Sequence, residues 1–225
     1  KFMNRLWEDK IDTHILIGNH DIYYRNTNKV NAIQELCTAP DGVNEPFIYE
    51  EPKVVDFDGT KILMMPWINP ENEAHSLHTL NTAVADVCMG HFDLNGFRMM
   101  DHMVQTHGYD KSIVSRFEKT YSGHFHHKND DGQVFYLGSQ YEMTWSDYNN
   151  QKGFHVFDTE TREVEFIHNP NTIFKKLMYD DTNTNYDKLD ISDYNQKFVK
   201  LIVSNKKDNQ MFDRLLDRLY KNISV

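Results

Sequence analysis

The stretch Tyr121-Ser122-Gly123-His124-Phe125-His126-His127 constrains this chain more than any other. A strand-like run ends on glycine, and two imidazoles follow, two residues apart. Two other segments share the plan: Ile15-Leu16-Ile17-Gly18-Asn19-His20-Asp21 and Val87-Cys88-Met89-Gly90-His91-Phe92-Asp93. Strands that each stop at a glycine and then present His or Asn are how an α/β sheet assembles a site along its carboxyl edge. In His-x-His both rings can point to one side, because side chains alternate along extended chain. Each glycine is expected to let the backbone turn sharply and pass close to a ligand.

These residue types suit a metal. Neutral imidazole binds Zn, Mn, Fe and Ni, while amide and carboxylate oxygens suit Mn and Mg. His124 and His126 could serve two neighbouring ions or share one. Two ions about 3.5–4 Å apart activate a water and clamp a phosphate during in-line displacement. Each segment alone has a plainer reading. Twelve histidines in 225 residues produce His-x-His pairs by chance, and Gly-Asn-His-Asp suits an Asn-rich turn. Recurrence at the ends of three strand-like runs favours a site.

Gly18-Asn19-His20-Asp21, Gly90-His91 and Gly123-His124-Phe125-His126 resemble the third, fourth and fifth motifs of the calcineurin-like metallophosphoesterases. The loop after Gly90-His91-Phe92-Asp93, and the run Val134-Phe135-Tyr136-Leu137-Gly138-Ser139, narrow the likeness. They resemble the nuclease subunits of SbcD/Mre-type DNA recombination and repair complexes, and among these the recombination endonuclease subunits of T-even-like bacteriophages. The motifs span residues 15 to 140, and a softer likeness continues to the end.

The resemblance implies a four-layer α/β/β/α sandwich over residues 1–169, N-terminally truncated, and a small α+β capping, DNA-binding domain over 170–225, incomplete. It implies a metal-dependent DNA nuclease, exonuclease or endonuclease, with two divalent ions at the sheet edge, manganese or else magnesium. By motif position Asn19, His91 and His124 hold one ion and His126 the other. His20 is then the acid that stabilises developing charge or protonates the leaving oxygen. Asp21 orients His20 through a hydrogen bond. The implied partners are DNA and an SbcC/Rad-type ATPase. The nuclease would be a homodimer within a heterotetramer, away from membranes, in the cytoplasm (the host's, for a phage).

The family's first motif (Asp-x-His) and second motif (Gly-Asp) are absent from these residues. Asp12-Thr13-His14 spells the first, but it lies inside the strand that leads to Gly18. Asp12 and His14 therefore read as a strand-entry residue and a local contact. With His126 as its one remaining ligand, the first ion is under-coordinated, and the second ion lacks its bridging carboxylate. The chain, which opens at Lys1 inside a helix-like stretch, is expected to be a nuclease fragment that binds metal weakly and cleaves DNA poorly or not at all. Two rivals stand beside the nuclease. A phosphomonoesterase or cyclic-nucleotide phosphodiesterase of the same superfamily would turn over small esters and leave DNA intact. A catalytically inactive scaffold for the ATPase would bind its partner without metal chemistry.

Composition adds limits. The content is 39% hydrophobic and 13% aromatic, enough for a packed core. Cys37 and Cys88 are too few for a disulfide framework, and Cys88 reads as a buried thiol. No apolar run approaches the ~18 residues of a membrane span, and no secretory signal is legible. The net charge of −10 suits DNA poorly, but it is uneven. Residues 1–169 hold 14 basic and 26 acidic residues, a balance of −12, and 170–225 hold 10 and 8, a balance of +2. A phosphate-contacting surface is therefore expected late in the chain or on a partner.

Along the chain, periodicity predicts a helix end over Lys1–Lys10 and a strand over Thr13–Ile17. A short helix is expected over Asn28–Leu36, capped near Asn26 or Asn28. Lys53–Phe57 and Lys61–Pro66 form a hairpin around Asp58-Gly59. Helices are expected over Glu71–Val84, with His75 and His78 on an exposed face, and over Ser112–Lys119. Asn95–Tyr109, carrying His102 and His107, reads as a substrate-facing loop or a dimer contact. Gln133–Leu137, Gly153–Asp158 and Glu163–His168 are expected to close the sheet layer. Lys197–Ser204 reads as a strand and Asn209–Lys221 as an amphipathic helix.

Overall fold

The computed structural model describes residues 2–100 and 103–222. His102 lies outside them. Two compact units emerge: Lys1–Ser139 with His155–Ile167, and Gln140–Phe154 with His168–Val225.

The elements begin with α1 (Phe2–Glu8), β1 (His14–Leu16), α2 (Ala32–Leu36), β2 (Phe47–Tyr49), β3 (Lys53–Phe57) and β4 (Thr60–Met65). Next come α3 (Glu73–Thr82), β5 (Val87–Gly90), β6 (Arg98–Met100), β7 (Met103–Val104), β8 (Lys119–Ser122) and β9 (Asn129–Asp130). The series closes with β10 (Val134–Tyr136), β11 (Gly153–Phe157), β12 (Val164–His168), β13 (Phe174–Asp180), β14 (Phe198–Asn205) and α4 (Asn209–Asn222). The fold is mixed α/β.

A six-stranded sheet of order β3-β4-β5-β8-β10-β9 organises the first unit. β4, β5, β8 and β10 run parallel, and antiparallel β3 and β9 close the edges. Met65, Gly90, Ser122 and Tyr136 are register partners, so the four parallel strands end in one row. The loops that leave this row start at Pro66, His91, Gly123 and Leu137. That alignment brings the histidine motifs together.

Parallel strands need cover on both faces, and these have it. Leu63, Met65, Cys88 and Tyr136 pack with Leu80, Phe92 and Val114 on one side. Ile62, Met64, Val87 and Tyr121 pack with Tyr49 on the other, joined by Leu16, Phe157 and Val164. Each such side chain contributes about 1.5–3 kcal/mol of burial. β1 pairs in parallel with β2, and β11 pairs with β12, each as a two-stranded sheet. Among the described residues no helix is long and apolar enough to cross a membrane.

The hairpin is where expected. Asp58 (φ 51°) and Gly59 (φ 93°) are both left-handed, as a tight two-residue turn between twisted strands requires. His75 and His78 are exposed on α3. Other expectations need correction. Ser112–Lys119 is not a helix: a single 3-10 turn, Lys111–Val114, precedes β8, which draws Lys119 into the sheet. The helix expected from Asn28 begins at Ala32. Its cap is Asn31, whose side chain accepts from Gln34 N, while Asn28 is buried in another role. β10 joins the six-stranded sheet, whereas β11 and β12 pair with each other. β2 and β13 were not foreseen.

In the second unit β13 and β14 pair in parallel, Phe174 opposite Phe198 and Met178 opposite Ile202. α4 places Met211, Leu215 and Leu219, four residues apart, in a core with Leu177, Tyr179 and Tyr186. The amphipathic reading of this helix holds.

Candidate metal-binding site

Asn19 follows β1, His91 follows β5 and His124 follows β8, and the three side chains meet. His91 Nε2–H donates to Asn19 Oδ1 at 2.9 Å, and His124 Nδ1 lies 3.4 Å from the same oxygen. The two imidazole rings are 5.2 Å apart.

The glycines serve this meeting differently from expectation. A Cβ on Gly18 would lie 2.9 Å from His91 Cε1, and one on Gly123 would lie 3.1 Å from His91 Nδ1. Both positions therefore leave room for the His91 ring. Neither glycine takes the sharp turn. That falls on His124 itself, at φ 80°, a region costly for a residue with a side chain.

Burial sets the protonation of the cluster. His91 is held down to about 3 by burial first, then by the nearby His124 and His20. Burial also lowers His124. Asp93 opposes that shift, with Oδ1 3.8 Å from His124 Nε2, while His20 and His126 reinforce it. Both rings are therefore neutral near pH 7, the form that binds metal.

His20 is exposed on the loop after Asn19. The Asp21 carboxylate accepts from Gly18 N at 2.7 Å, a short-range bond that closes the loop on itself. His126 lies near enough to depress His124, and its carbonyl accepts from Ser139 N at 3.1 Å. His127 is buried. His14 is 2.6 Å from the Tyr49 hydroxyl through Nδ1 and stacks on Phe47, while Asp12 is exposed at the strand entry.

Two neighbours had no role in the sequence reading. Asp93 faces His124 and accepts from Gln105 Nε2 at 2.6 Å. It lies two residues past His91, and that spacing was its one signal. Trp67 borders both rings, 5.2 Å from His124 and 5.9 Å from His91. Its signal was a Pro-Trp pair at the end of a buried strand.

One oxygen and two nitrogens, separated from the oxygen by 2.9 and 3.4 Å, match ligand spacing around an ion with bonds of about 2.1 Å. Among the described residues no group of three or more His, Cys, Asp or Glu side chains is placed to hold a metal ion, so an ion here would rest on the Asn19 amide oxygen beside the two imidazoles.

No protein-family model matches the sequence. The chain is 37% identical over 169 residues to exonuclease subunit 1 of Enterobacteria phage T4, a match covering 75% of this chain and 49% of that protein. It thus spans about half the length of the curated relative it matches. The chain is related to a phage exonuclease subunit.

Proposed function

We propose that this chain carries the metal-binding half of a metallophosphoesterase-type DNA nuclease. The observation that carries the reading is the convergence of Asn19, His91 and His124 from three strand ends. The likeness to a phage exonuclease subunit supports a nuclease as the reaction class. A sheet buried on both faces supports the four-layer sandwich.

In this reading Asn19 Oδ1 and the two imidazoles hold one divalent ion, manganese or magnesium, in a preformed neutral cradle. When bound, such an ion polarises a phosphate oxygen and lowers the pKa of a water. His20, exposed beside the cradle, donates a proton to the leaving oxygen of the phosphodiester. Asp93 faces His124 at 3.8 Å. His126 belongs to a second ion. DNA is the substrate, and an ATPase of the SbcC/Rad type is the partner.

The test is Mn2+-dependent cleavage of a linear duplex and of a single-stranded circle by the protein. It is compared with His20→Ala and His124→Ala. Cleavage lost in both, with metal retained in His20→Ala, supports the assignment. Hydrolysis of small phosphate esters without DNA cleavage replaces it with a phosphodiesterase of another substrate class. Metal-independent partner binding alone replaces it with a scaffold, a reading that the sparse acidic ligand set favours.

A further inference from the structure

His124 is poorly held by its polar neighbours. Its backbone sits at φ 80°, its Nδ1 contact to Asn19 is long at 3.4 Å, and its Nε2 is 3.8 Å from Asp93. Neither contact is short enough to fix a ring. The Trp67 indole lies beside that ring, tilted by 35°, and meets the His91 ring at 76° in a T-shaped contact. One side chain thus borders both imidazoles.

The Trp67 backbone is itself held by hydrogen bonds. Trp67 N donates to Ile17 O at 2.8 Å, which ties it to the end of β1. Trp67 O accepts from Asn28 Nδ2 at 2.9 Å and from Asn72 Nδ2 at 3.1 Å. Asn28 is 3% exposed. Its Nδ2 also donates to Glu50 O at 2.9 Å, and its Oδ1 accepts from Asn69 Nδ2 at 2.9 Å. A buried amide with both hydrogens and its oxygen engaged admits one geometry.

We infer that Trp67 is a positioning residue of this site. Its indole, carried on a hydrogen-bonded backbone, borders the His124 and His91 imidazoles and holds them in the orientation that turns both toward Asn19. The inference rests on the metal-site reading above and adds a residue outside the ligand set. Outer-shell groups that orient ligands matter to affinity as the ligands do. An aromatic wall achieves by contact what a carboxylate achieves by hydrogen bonding.

The experiment uses the chain as it stands, Co2+ as the probe, and the variants Trp67→Phe and Trp67→Leu. Calorimetry reads Co2+ affinity, and side-chain NMR reads the His124 ring without metal. Trp67→Leu is expected to weaken Co2+ binding by about 10- to 100-fold. Trp67→Phe, which keeps a flat face, restores most of that affinity. In the metal-free protein the His124 ring protons are expected upfield, shifted by the indole ring current. Trp67→Leu returns them toward their ordinary positions. Equal Co2+ affinity in the wild type and Trp67→Leu overturns the inference. If the wild type binds no Co2+, the metal reading fails, and the NMR decides the positioning alone. His124 resonances unmoved by Trp67→Leu then overturn it, and displaced resonances support it.

Discussion

His91 Nε2 and Asn19 Oδ1 meet at 2.9 Å although the strands that carry them, β5 and β1, belong to different sheets. The bond joins the two sheets at their carboxyl ends. It also defines the metal-free tautomer, with the proton on Nε2. In the proposed metal site, Asn19 Oδ1 and His91 Nε2 would both be ligands, and the imidazole proton would sit on Nδ1 instead.

In the proposed metal site, where Asn19 Oδ1 is a ligand, Asn19→Ala is expected to weaken Mn2+ or Co2+ binding by about tenfold or more. Titration calorimetry checks this. Unchanged affinity would remove Asn19 from the ligand set.

Gly18→Ala tests the room left for His91. The new methyl group would press on the ring at 2.9 Å from Cε1, and Asp21 Oδ2 at 3.2 Å blocks retreat on its other side. Metal affinity is expected to fall with little change in unfolding temperature, because the His91 ring can shift while the strands stay paired. Gly123→Ala, at 3.1 Å from His91 Nδ1 with the next atom 3.6 Å away, should do less. The reverse order of the two affinities would refute this account of the glycines.

The depressed His91 pKa has a stability consequence. Unfolded, the ring titrates near its ordinary value of about 6.5. Folded, it binds a proton only near about 3. Between these values the unfolded chain binds more protons, so the folded state loses stability as the pH falls. The contribution is complete above about pH 6.5 and is lost progressively toward about pH 3. His14, His124 and His155 are also lowered, each chiefly by burial, and act in the same direction. Urea unfolding at about pH 7.5 and about pH 5 should show the drop, and His91→Gln should make it smaller. An equal drop in that variant would argue against a buried neutral His91.

The strand ends with their Gly-His and Gly-Asn-His signatures were legible because each is local: apolar run, glycine and ligand lie within seven residues. The hairpin at Asp58-Gly59 was legible for the same reason. What escaped is non-local or short. β2 has three residues, too few for alternation to register. Asn28 looks like a helix cap, but its partners are Glu50, Trp67 and Asn69, some 20 to 40 residues away. Asp21 beside His20 suggests a pair, and the bond of its carboxylate to the backbone N–H of Gly18 was not legible from the sequence.

The asparagine network yields its own prediction. Asn28→Leu removes three hydrogen bonds and leaves the Asn69 amide short of a buried acceptor. A loss of about 2–4 kcal/mol is expected from the unsatisfied groups left behind. Asn26→Ala, at an exposed position, should stay within about 0.5 kcal/mol. Denaturant unfolding measures both, and a neutral Asn28→Leu would show that the network is dispensable.

The second unit holds a buried ion pair. Lys152 Nζ lies 2.8 Å from Asp147 Oδ1, with the side chains 3% and 0% exposed. Burial pushes the Asp147 carboxyl up, but the Lys152 ammonium and the Thr144 and Met143 backbone N–H groups outweigh it and hold the value at about 2. Because the folded pKa lies below the ordinary 3.8, the stabilisation is complete above about pH 4 and fades as the pH falls through about 2. Acid unfolding of this unit should extend into that window. Lys152→Met leaves a buried carboxylate without its ammonium and is expected to cost about 3–5 kcal/mol. Adding Asp147→Asn to that variant should recover part of the loss, since the stranded charge is then gone. The two backbone N–H groups keep an oxygen to bind, through Oδ1 of the new amide. If the double variant were less stable than Lys152→Met alone, the carboxylate's bonds to Met143 and Thr144, at 3.0 and 2.9 Å, would outweigh the ion pair in holding this segment.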